Sequence, residues 1–368
     1  MKKITYVFLR GRNKKVLEEK NFANDFFYGA YLFDKNKYDV NILEVDSESI
    51  QSNKFLNFFD RGFKKFLNLP FNMEKFVSFK NLKSLKKSDH VILVNETVAF
   101  SSLPLLFILK IFSKTKISVF VMGLFSREAS NKFFLIIMNI FIKIMISCVN
   151  NVLFLGKPEY EEARKTYTHK NKFKYFPFSV DTEFWSSHED IEKTYDLIFV
   201  GNDLNKDFSF VIKLITELKH RNFLVVSNNP VFDNLEFSNS TFIKSDWSTG
   251  LVSDTELRDF YLSSRISILP IKETLQPSGQ SVALQSMSLK IPVLISQTSG
   301  FWDKEKFSNN NNIIFLKNDI NTWTNEINKL LNDYSKAKNI ASKAHDVVLK
   351  EYNLNKFIHN LIEIINKS

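Results

Sequence analysis

The feature that most constrains the fold is the alternation of short apolar runs, rich in Val, Ile and Phe, with segments of helical periodicity. Six runs lie in the first half of the chain, at 4–9, 38–45, 90–95, 117–123, 151–156 and 173–178. Six more follow, at 195–201, 223–228, 241–246, 266–271, 291–296 and 312–317. Helical patterns separate the first six, around 20–33, 54–68, 103–113, 129–147 and 158–167. Strands that alternate with helices form parallel sheets, so we predict an α/β protein with two Rossmann-like domains.

The length of 368 residues also indicates two domains, because it exceeds the usual limit for one hydrophobic core. We place an N-terminal domain at 1–186 and a C-terminal domain at 187–352, and we expect a helix at 353–368 to pack back toward the N-terminal domain. Ligands of open parallel sheets bind outside the carboxyl ends of the strands. Two such domains would face each other across a cleft, and the loops after the strands are the expected location of a site.

The charge of the chain is concentrated in its first half. Residues 1–185 carry 30 Lys and Arg against 18 Asp and Glu, whereas the remainder carries 20 against 22. Such asymmetry indicates an anionic partner surface. No recognition motif accompanies the charge, so we predict no nucleic acid partner. The stretch 53–71 places phenylalanines at helical spacing between lysines and arginines, which favours an anionic membrane surface. A helix that packs on its own domain would show the same pattern, so both interpretations are kept.

Two further features bear on location. The apolar stretch 133–155 approaches the length of a membrane span, but polar residues interrupt it, so we predict a buried helix followed by a strand. The first residues, MKKITYVFL, hold too short an apolar run for a signal peptide and are predicted to form the first strand. Cys148, the one cysteine, excludes an internal disulfide and fits a reducing compartment. We therefore predict a cytoplasmic protein.

Several enzyme classes lack their signatures in this sequence. Neither half has G-x-G-x-x-G after its first strand, and no P-loop motif is present, which disfavours a dinucleotide dehydrogenase and a P-loop kinase. No G-x-S-x-G elbow is present, so a serine hydrolase is unsupported. The six histidines are scattered without a pair at metal-ligand spacing. We therefore predict no metal site and no cofactor.

Two loops of the second half carry a pattern suited to an anion. The run at 195–201 ends at Gly201, where the backbone can approach a ligand closely, and Lys206 follows as a point charge for phosphate oxygens. After the run at 266–271, residues 278–281 occupy the start of a predicted helix. The free N–H groups and the positive dipole end of a helix favour anions. A simple βα turn, with Ser278 as the N-cap, is the competing interpretation.

Five segments of the second half resemble the retaining GT-B glycosyltransferases of the nucleotide-sugar-dependent group 1 type. They are FPFSVDTEFW (176–185), DLIFVGNDLNKDF (196–208), DTELRDFYLSSRISILPI (254–271), SGQSVALQSMSLKIPVLISQTSG (278–300) and the tail from 344. Their order and spacing are similar to those of the family's second domain. The resemblance in motifs covers residues 173–368. In residues 1–172 only the architecture, the order of strands and helices, is similar. It implies a GT-B fold and the transfer of a sugar from a nucleotide-sugar donor.

The resemblance also implies roles for individual residues. Lys206 matches the basic residue that pairs with the donor diphosphate, and Gly279, Gln280 and Ser281 match the amides around that diphosphate. Gln285 matches the glutamate that holds the donor ribose. Ser245 and Asp246 are expected beside the nucleobase. Gly201, Asn202, Gln276 and Ser278, which lie in the same two loops as Lys206 and Gly279, are further donor-binding candidates.

This sequence departs from the family pattern at four points. Asn202 stands where an arginine is usual, Gln285 replaces a glutamate, and the first glutamate of the family's pair has no clean counterpart. The usual N-domain histidine is replaced by the neighbourhood of Met122 and Gly123. These departures leave open a non-catalytic sugar-nucleotide- or glycan-binding scaffold.

We predict a metal-independent, retaining glycosyltransferase that uses a UDP- or GDP-sugar, in the synthesis of a bacterial surface polysaccharide or lipopolysaccharide. Its acceptor would be a glycan or a lipid-linked glycan, and its location the inner face of the plasma membrane. The alternative is an inverting transferase, which needs a base from the first half. Glu96, just after the run at 90–95, is the first candidate for that base, and Asp25 is the second.

Overall fold

The computed structural model describes residues 1–9, 11–18, 21–45, 54–127, 131–187, 191–245 and 251–367. The chain divides into two compact units. The N-terminal unit comprises Met1–Leu17, Phe27–Pro177 and Ile358–Ser368, and the C-terminal unit comprises Glu18–Phe26 and Phe178–Phe357. The segment Glu18–Phe26 thus belongs to the C-terminal unit although its neighbours in sequence belong to the other. The boundaries drawn from the sequence, 186/187 and 352/353, stay a prediction.

The N-terminal unit is built on a parallel sheet of six strands. These are β1 (Lys2–Leu9), β2 (Tyr38–Val45), β3 (His90–Leu93), β4 (Lys116–Val121), β5 (Asn151–Phe154) and β6 (Phe173–Tyr175). Their order in the sheet is β2-β1-β3-β4-β5-β6, with every pairing parallel. The central strands β3 and β5 are buried along their whole length, as expected for strands covered on both faces.

Six helices connect these strands. They are α1 (Arg12–Glu18), α2 (Lys54–Leu67), α3 (Phe79–Lys86), α4 (Glu96–Phe112), α5 (Lys132–Cys148) and α6 (Lys157–Thr166). Residues 358–367 of the last helix of the chain also belong to this unit, where Lys2 Nζ donates to the Ile365 carbonyl at 2.8 Å. None of the helices in the described ranges combines the length and the apolar character that crossing a bilayer requires.

The prediction of a helix at 20–33 is wrong. Within the described part of that stretch the only helical element is a single turn of 3-10 helix, Asp25–Phe27. Tyr28 has a φ of 50° and Gly29 a φ of 76°, both in the left-handed region, so a right-handed helix cannot continue through them. At 133–155 the predicted elements are correct, since helix α5 is followed by strand β5. The prediction that this helix is buried is wrong, because one side of α5 is exposed.

The C-terminal unit repeats the architecture. Its strands are β7 (Tyr195–Val200), β8 (Phe223–Val226), β9 (Ser240–Ile243), β10 (Ser264–Leu269), β11 (Val293–Ser296) and β12 (Ile314–Leu316). Its helices are α7 (Phe208–Glu217), α8 (Asp254–Leu262), α9 (Gln280–Ser288), α10 (Ile320–Asn332), α11 (Tyr334–Glu351) and the start of α12 (Leu354–Lys367). All twelve strands coincide with the runs identified in the sequence.

The strand order of the C-terminal unit determines where a ligand can bind. The sheet runs β12-β11-β10-β7-β8-β9, and all pairings are parallel. Connections proceed in one direction from β7 and in the opposite direction from β10, so the loops that follow these two strands diverge. Doubly wound sheets bind their ligands in the crevice at this switch point. Lys206 lies in the loop after β7, and the start of α9 lies in the segment after β10.

Candidate functional site

The loop after β7 and the segment after β10 are tied together by backbone contacts. Lys206 and Ile271 form an isolated antiparallel bridge. The Asp207 N–H donates to the Pro270 carbonyl at 3.0 Å, and the Lys272 N–H donates to the Asn205 carbonyl at 2.8 Å. These bonds satisfy backbone groups that would otherwise be lost at the end of the strands. They also hold the Lys206 side chain at the start of α9.

The Lys206 side chain lies in a channel that two glycines leave open. A Cβ added at Gly201 would lie 2.6 Å from Lys206 Cε, and one added at Gly279 would lie 3.2 Å from Lys206 Nζ. Contacts this short do not occur between real side chains, so larger residues at either position would displace the lysine. Gly279 also has a φ of 78°, which glycine adopts at little cost. We predicted from the sequence that Gly201 lets the backbone approach a ligand closely. In the structure the group that lies close to Gly201 is the Lys206 side chain.

The ammonium group of Lys206 is buried, since only 1% of the residue is exposed. Its Nζ lies 3.2 Å from Asp203 Oδ2 and 3.5 Å from Ser278 Oγ. Ser278 Oγ in turn donates to Asp203 Oδ1 at 2.9 Å. Burial lowers the pKa of Lys206, and the neighbouring Asp203 carboxylate acts in the opposite direction. A buried cation with one half-exposed partner is well placed to exchange that partner for a ligand anion.

Helix α9 begins beside this ammonium group. Gly279 occupies the N-cap position and, having no side chain, cannot cap the first turn as Ser, Asp or Asn would. Gln280 and Ser281 are the first two residues of the helix, so their N–H groups belong to its N-terminal turn. Ser278 precedes the cap and is engaged with Asp203. The positive end of the helix dipole and the Lys206 ammonium are therefore adjacent.

Asn202 links the ends of three strands. Its Nδ2 donates to the Ser245 carbonyl after β9 at 2.8 Å. Its Oδ1 accepts from the Asn228 N–H after β8 at 2.7 Å and from Ser227 Oγ at 3.1 Å. These bonds occupy both ends of the amide, so the side chain acts as a connector between loops. Asp246, the neighbour of Ser245 predicted beside the nucleobase, lies outside the described residues.

Gln276 supports the segment before α9 rather than the helix itself. Asn205 Nδ2 donates to Gln276 Oε1 at 2.9 Å, and the Gln276 carbonyl accepts from the Ser278 N–H at 2.7 Å. The first bond joins the loop after β7 to the segment after β10 through side chains. Together with the backbone contacts, it fixes the position of Lys206 relative to Gly279.

Gln285 lies one and a half turns into α9 and is 2% exposed. Its Nε2 donates to Asp25 Oδ2 at 2.8 Å. The same Asp25 carboxylate accepts from Trp185 Nε1 at 2.7 Å and from the Asp181 N–H at 2.5 Å. Tyr261 OH approaches Gln285 Oε1 at 3.5 Å. The Asp25 carboxylate thereby anchors its segment within the C-terminal unit, where the Ala23 N–H also donates to Asp254 Oδ2 at 2.8 Å.

Burial raises the pKa of Asp25 to about 7, and the hydrogen bonds from Gln285, Asp181 and Trp185 oppose that shift. Both carboxylate oxygens accept hydrogen bonds, and only 1% of the residue is exposed. A general base needs access to the proton that it removes. The geometry of Asp25 is that of an anchor, which does not favour its assignment as a base.

Glu96 lies in the N-terminal unit, in the first turn of α4, and is 4% exposed. Arg127 Nη2 lies 3.2 Å from Glu96 Oε1 and forms an ion pair with it. Burial raises the pKa of Glu96, while the Arg127 charge lowers it. Glu96 is engaged in the ion pair with Arg127, so the geometry does not favour the assignment of Glu96 as a base either.

Sequence reasoning missed a second buried carboxylate beside Glu96. Glu159, in the first turn of α6, accepts from the N–H groups of Gly123 and Phe125 at 2.9 and 3.0 Å. Gly123 has a φ of 105°, so the turn that presents these groups requires glycine. Burial raises the pKa of Glu159 to about 7, and Glu96 adds to the shift. Glu159 thus supports the turn after β4, the place where the resemblance drew attention to Met122 and Gly123.

The channel around Lys206 gives a direct prediction. We expect Gly201→Ala to destabilise the protein by about 1–3 kcal/mol, because its methyl group collides with the Lys206 side chain. Urea denaturation measures this change. Gly62→Ala is the matched control, since a Cβ at Gly62 meets no heavy atom of the described residues within 4 Å. Equal stability of Gly201→Ala and wild type would contradict the packing described here.

No group of three His, Cys, Asp or Glu side chains within the described ranges is arranged to hold a metal ion. The arrangement at the start of α9 is instead a site of positive charge built from Lys206 and backbone N–H groups.

Residues 194–333, which span β7 to the end of α10, match the family model described as Glycosyl transferases group 1. This segment is a group 1 glycosyltransferase domain. Lys206, Gly279 and Gln285 all lie in it, and the resemblance identified from the sequence is confirmed, as is the classification of the chain as a glycosyltransferase. A search of the curated proteins finds no match.

Solved structures of glycosyltransferases share the fold over the whole chain. A sucrose-phosphate synthase from Thermosynechococcus elongatus has a TM-score of 0.73 at 12% identity, covering 100% of this chain and 99% of that one. A glycosyltransferase from Rickettsia africae has a TM-score of 0.70 at 15% identity, covering 100% and 98%. Anabaena HepE, solved with UDP and glucose, has a TM-score of 0.69 at 12% identity, covering 100% of both chains. The two Rossmann-like units of this glycosyltransferase therefore form a GT-B fold, as predicted.

Proposed function

We propose that this glycosyltransferase transfers a sugar from a UDP- or GDP-sugar, whose diphosphate binds at the start of α9. One observation carries the proposal: the buried Lys206 ammonium lies at the uncapped N-terminus of α9, at the switch point of the sheet. A helix N-terminus and a lysine are together a favourable site for phosphate oxygens. The complex of HepE with UDP and glucose supports a uridine donor by analogy of fold.

The roles that we propose for the donor-binding residues follow their positions. Lys206 and the N–H groups of Gln280 and Ser281 bind the diphosphate, and Gly279 leaves room for it. Gly201 leaves room for the Lys206 side chain, and Ser278 lies beside the Lys206 ammonium. Asn202 and Gln276 position the loops. The roles of Ser245 and Asp246 beside the nucleobase and of Gln285 at the ribose are proposed from the sequence resemblance alone.

We propose that the reaction retains the anomeric configuration and needs no metal ion. Departure of the diphosphate leaves negative charge at the start of α9, where the Lys206 ammonium and the helix dipole stabilise it without reorganisation. In a retaining reaction the departing phosphate can accept the acceptor proton, so no protein base is needed. The burial of Glu96 and Asp25, each engaged with other groups, supports this choice over inversion.

The stereochemistry of the product tests the retaining mechanism. We expect the anomer of the product, read by NMR, to equal that of the donor, and Glu96→Gln to keep turnover. An inverted product, or a Glu96→Gln variant that binds donor without turning it over, would favour the inverting alternative.

We propose that the acceptor is a glycan or a lipid-linked glycan used for bacterial surface polysaccharide or lipopolysaccharide, and that the enzyme works at the inner face of the plasma membrane. The excess of Lys and Arg in residues 1–185 supports an anionic membrane surface as the partner of the N-terminal unit.

Thermal unfolding with UDP-, GDP-, ADP- and CMP-sugars tests the donor assignment, because a ligand that binds the folded state raises the melting temperature. We expect UDP- or GDP-sugars to raise it most. Release of free nucleotide from the same sugar then separates an enzyme from a scaffold. Stabilisation without any release would favour the scaffold, and no stabilisation by any donor would contradict the proposal.

A further inference from the structure

Helix α5 carries apolar side chains on its exposed side as well as on its buried side. Met138, Ile142 and Met145 face the interior of the N-terminal unit. On the other side Phe133 is 65% exposed, Ile136 62% and Ile140 49%. A surface helix normally presents polar side chains on its outer side. The spacing of the exposed residues, three and four positions apart, places them in one row along the helix.

Two neighbouring helices extend this row into a surface. Helix α2 packs on α5 through Phe63 against Phe141, with ring centroids 4.8 Å apart, and through Phe66 against Phe134 at 5.0 Å. The same helix presents Phe55 and Phe58, 70% and 76% exposed. Helix α4 also packs against α5 and exposes four apolar side chains in its last two turns, Phe107, Ile108, Ile111 and Phe112. These exposed residues of α2, α4 and α5 are called the apolar face below.

A cavity of about 450 Å³ opens between α2 and α5. Its walls are aromatic and aliphatic: Phe58, Phe59, Phe63, Phe66, Phe134 and Ile137. Arg61 and Lys65, both exposed, stand at its rim, and Lys65 Nζ lies 5.3 Å from the centroid of the Phe66 ring. An apolar cavity with cations among its lining residues fits a molecule with a hydrocarbon chain and an anionic head.

The charge around the apolar face matches the same kind of molecule. Residues 54–148 carry 15 Lys and Arg against 5 Asp and Glu, a net charge equal to the +10 of the whole protein. Lys110, Lys132 and Lys143 lie on α4 and α5 among the exposed apolar residues, and all three are exposed. Apolar side chains ringed by lysines are typical of helices that lie in the interface of an anionic bilayer. A protein partner gives no comparable reason for so uniform a sign of charge.

We propose that the apolar face is the surface by which this protein inserts into an anionic bilayer, and that the cavity between α2 and α5 binds one acyl chain of an anionic phospholipid. The inference deepens the membrane association proposed above. It differs from the interpretation based on 53–71 alone, because α4 and α5 also expose large apolar side chains. It also explains why α5 is interrupted too often for a membrane span but remains apolar on its outer side.

Binding to vesicles tests the surface, with the full chain and without any donor or acceptor. We expect wild type to sediment with phosphatidylglycerol vesicles at physiological salt, and not with phosphatidylcholine vesicles. The variant Phe58→Ser/Phe112→Ser/Ile136→Ser should bind on the order of 100-fold more weakly, because three apolar side chains no longer leave water. Leu349→Ser, an exposed leucine of α11 in the other unit, is the control and should bind as wild type does.

A second titration tests the cavity by itself. Dioctanoylphosphatidylglycerol below its critical micelle concentration should bind wild type with a stoichiometry of one. Gly62, which lines the cavity, allows a matched pair: Gly62→Leu fills space and should lower this affinity by roughly tenfold or more, whereas Gly62→Ala should not. Both substitutions improve helix propensity, so neither should unfold α2.

Three results would overturn the proposal. One is equal sedimentation of wild type and the triple variant, which would leave charge as the sole attraction. Another is equal binding to neutral and anionic vesicles. The third is a wild-type dimer that the triple substitution converts to a monomer, without vesicle binding, since the apolar face would then be covered by a second copy. Failure here would leave the donor site untouched, because donor-induced stabilisation is measured without lipid.

Discussion

Replacing Gln285 by glutamate should destabilise the protein strongly above neutral pH, although glutamate is the residue that the family usually has there. The new carboxylate would lie where Gln285 Nε2 now donates to Asp25 at 2.8 Å, inside a cluster that is almost fully buried. Two carboxylates at this distance cannot both ionise. We expect a loss of about 3–5 kcal/mol at pH 8, typical of an uncompensated buried charge.

The dependence of this loss on pH follows from the pKa of Asp25. Burial raises that pKa to about 7 in the wild-type protein. A carboxyl group with a raised pKa in the folded state favours folding when it is protonated, and this contribution is lost as the pH rises through the folded pKa. In Gln285→Glu the pair holds a shared proton at acidic pH, so the loss should be smaller at pH 6 than at pH 8.

A double-mutant cycle separates the pair from its surroundings. In Asp25→Asn/Gln285→Glu the amide of residue 25 can donate to the new carboxylate, so the double variant should lose about 2 kcal/mol less than the sum of the two single variants. Gln297→Glu, an exposed glutamine of the same unit, is the control and should change stability by less than about 0.5 kcal/mol. Urea denaturation of wild type and of these variants measures the free energy of unfolding of each protein. Strictly additive losses would show that Gln285 and Asp25 are not coupled.

Replacing Lys206 by methionine should abolish most of the stabilisation that a nucleoside diphosphate gives, without weakening the protein itself. A hydrogen bond to a charged group contributes about 1.5–3 kcal/mol, so we expect roughly 10–100-fold weaker binding. The unliganded protein should be as stable as wild type or more so, because methionine removes a buried charge, and Asp203, 42% exposed, remains solvated without its partner.

The nearby Lys272 provides the control for this variant. It lies in the segment after β10 and is exposed, and its Nζ donates to the Leu204 carbonyl. Calorimetric titration with UDP and GDP should therefore give similar affinities for Lys272→Met and wild type. Because burial lowers the pKa of Lys206, binding to wild type should weaken at a less alkaline pH than an exposed lysine would require. Unchanged affinity in Lys206→Met would contradict the proposed contact.

The location of Lys206 and of the start of α9 could be predicted from the sequence because both follow from local patterns. Each lies directly after an apolar strand, and the order of strands and helices fixes where parallel strands end. The same locality explains why all twelve strands were found. Helices α1 and α3 were missed because they are short and carry few apolar residues, and α3 depends on a cap from Ser78 to the Asn81 N–H.

The partners of Gln285 and Lys206 could not be predicted, because they depend on contacts between distant parts of the chain. Asp25 and Gln285 are 260 positions apart, and the segment around Asp25 was assigned to a helix. In the sequence, Gln285 is a departure from the glutamate that the family has at this position. In the structure, Gln285 is the neutral hydrogen-bond partner of the buried Asp25 carboxylate. Burial of Glu159 has no local signal either, since Pro158 and the acidic residues after it resemble an ordinary exposed helix start.

A crystal structure with the nucleoside diphosphate that stabilises the protein most would test directly whether the diphosphate binds at Lys206 and the start of α9. We expect the β-phosphate oxygens within about 3 Å of Lys206 Nζ and of the N–H groups of Gln280 and Ser281, at the start of α9. A diphosphate bound elsewhere, with Lys206 still paired to Asp203, would contradict the assignment of this site.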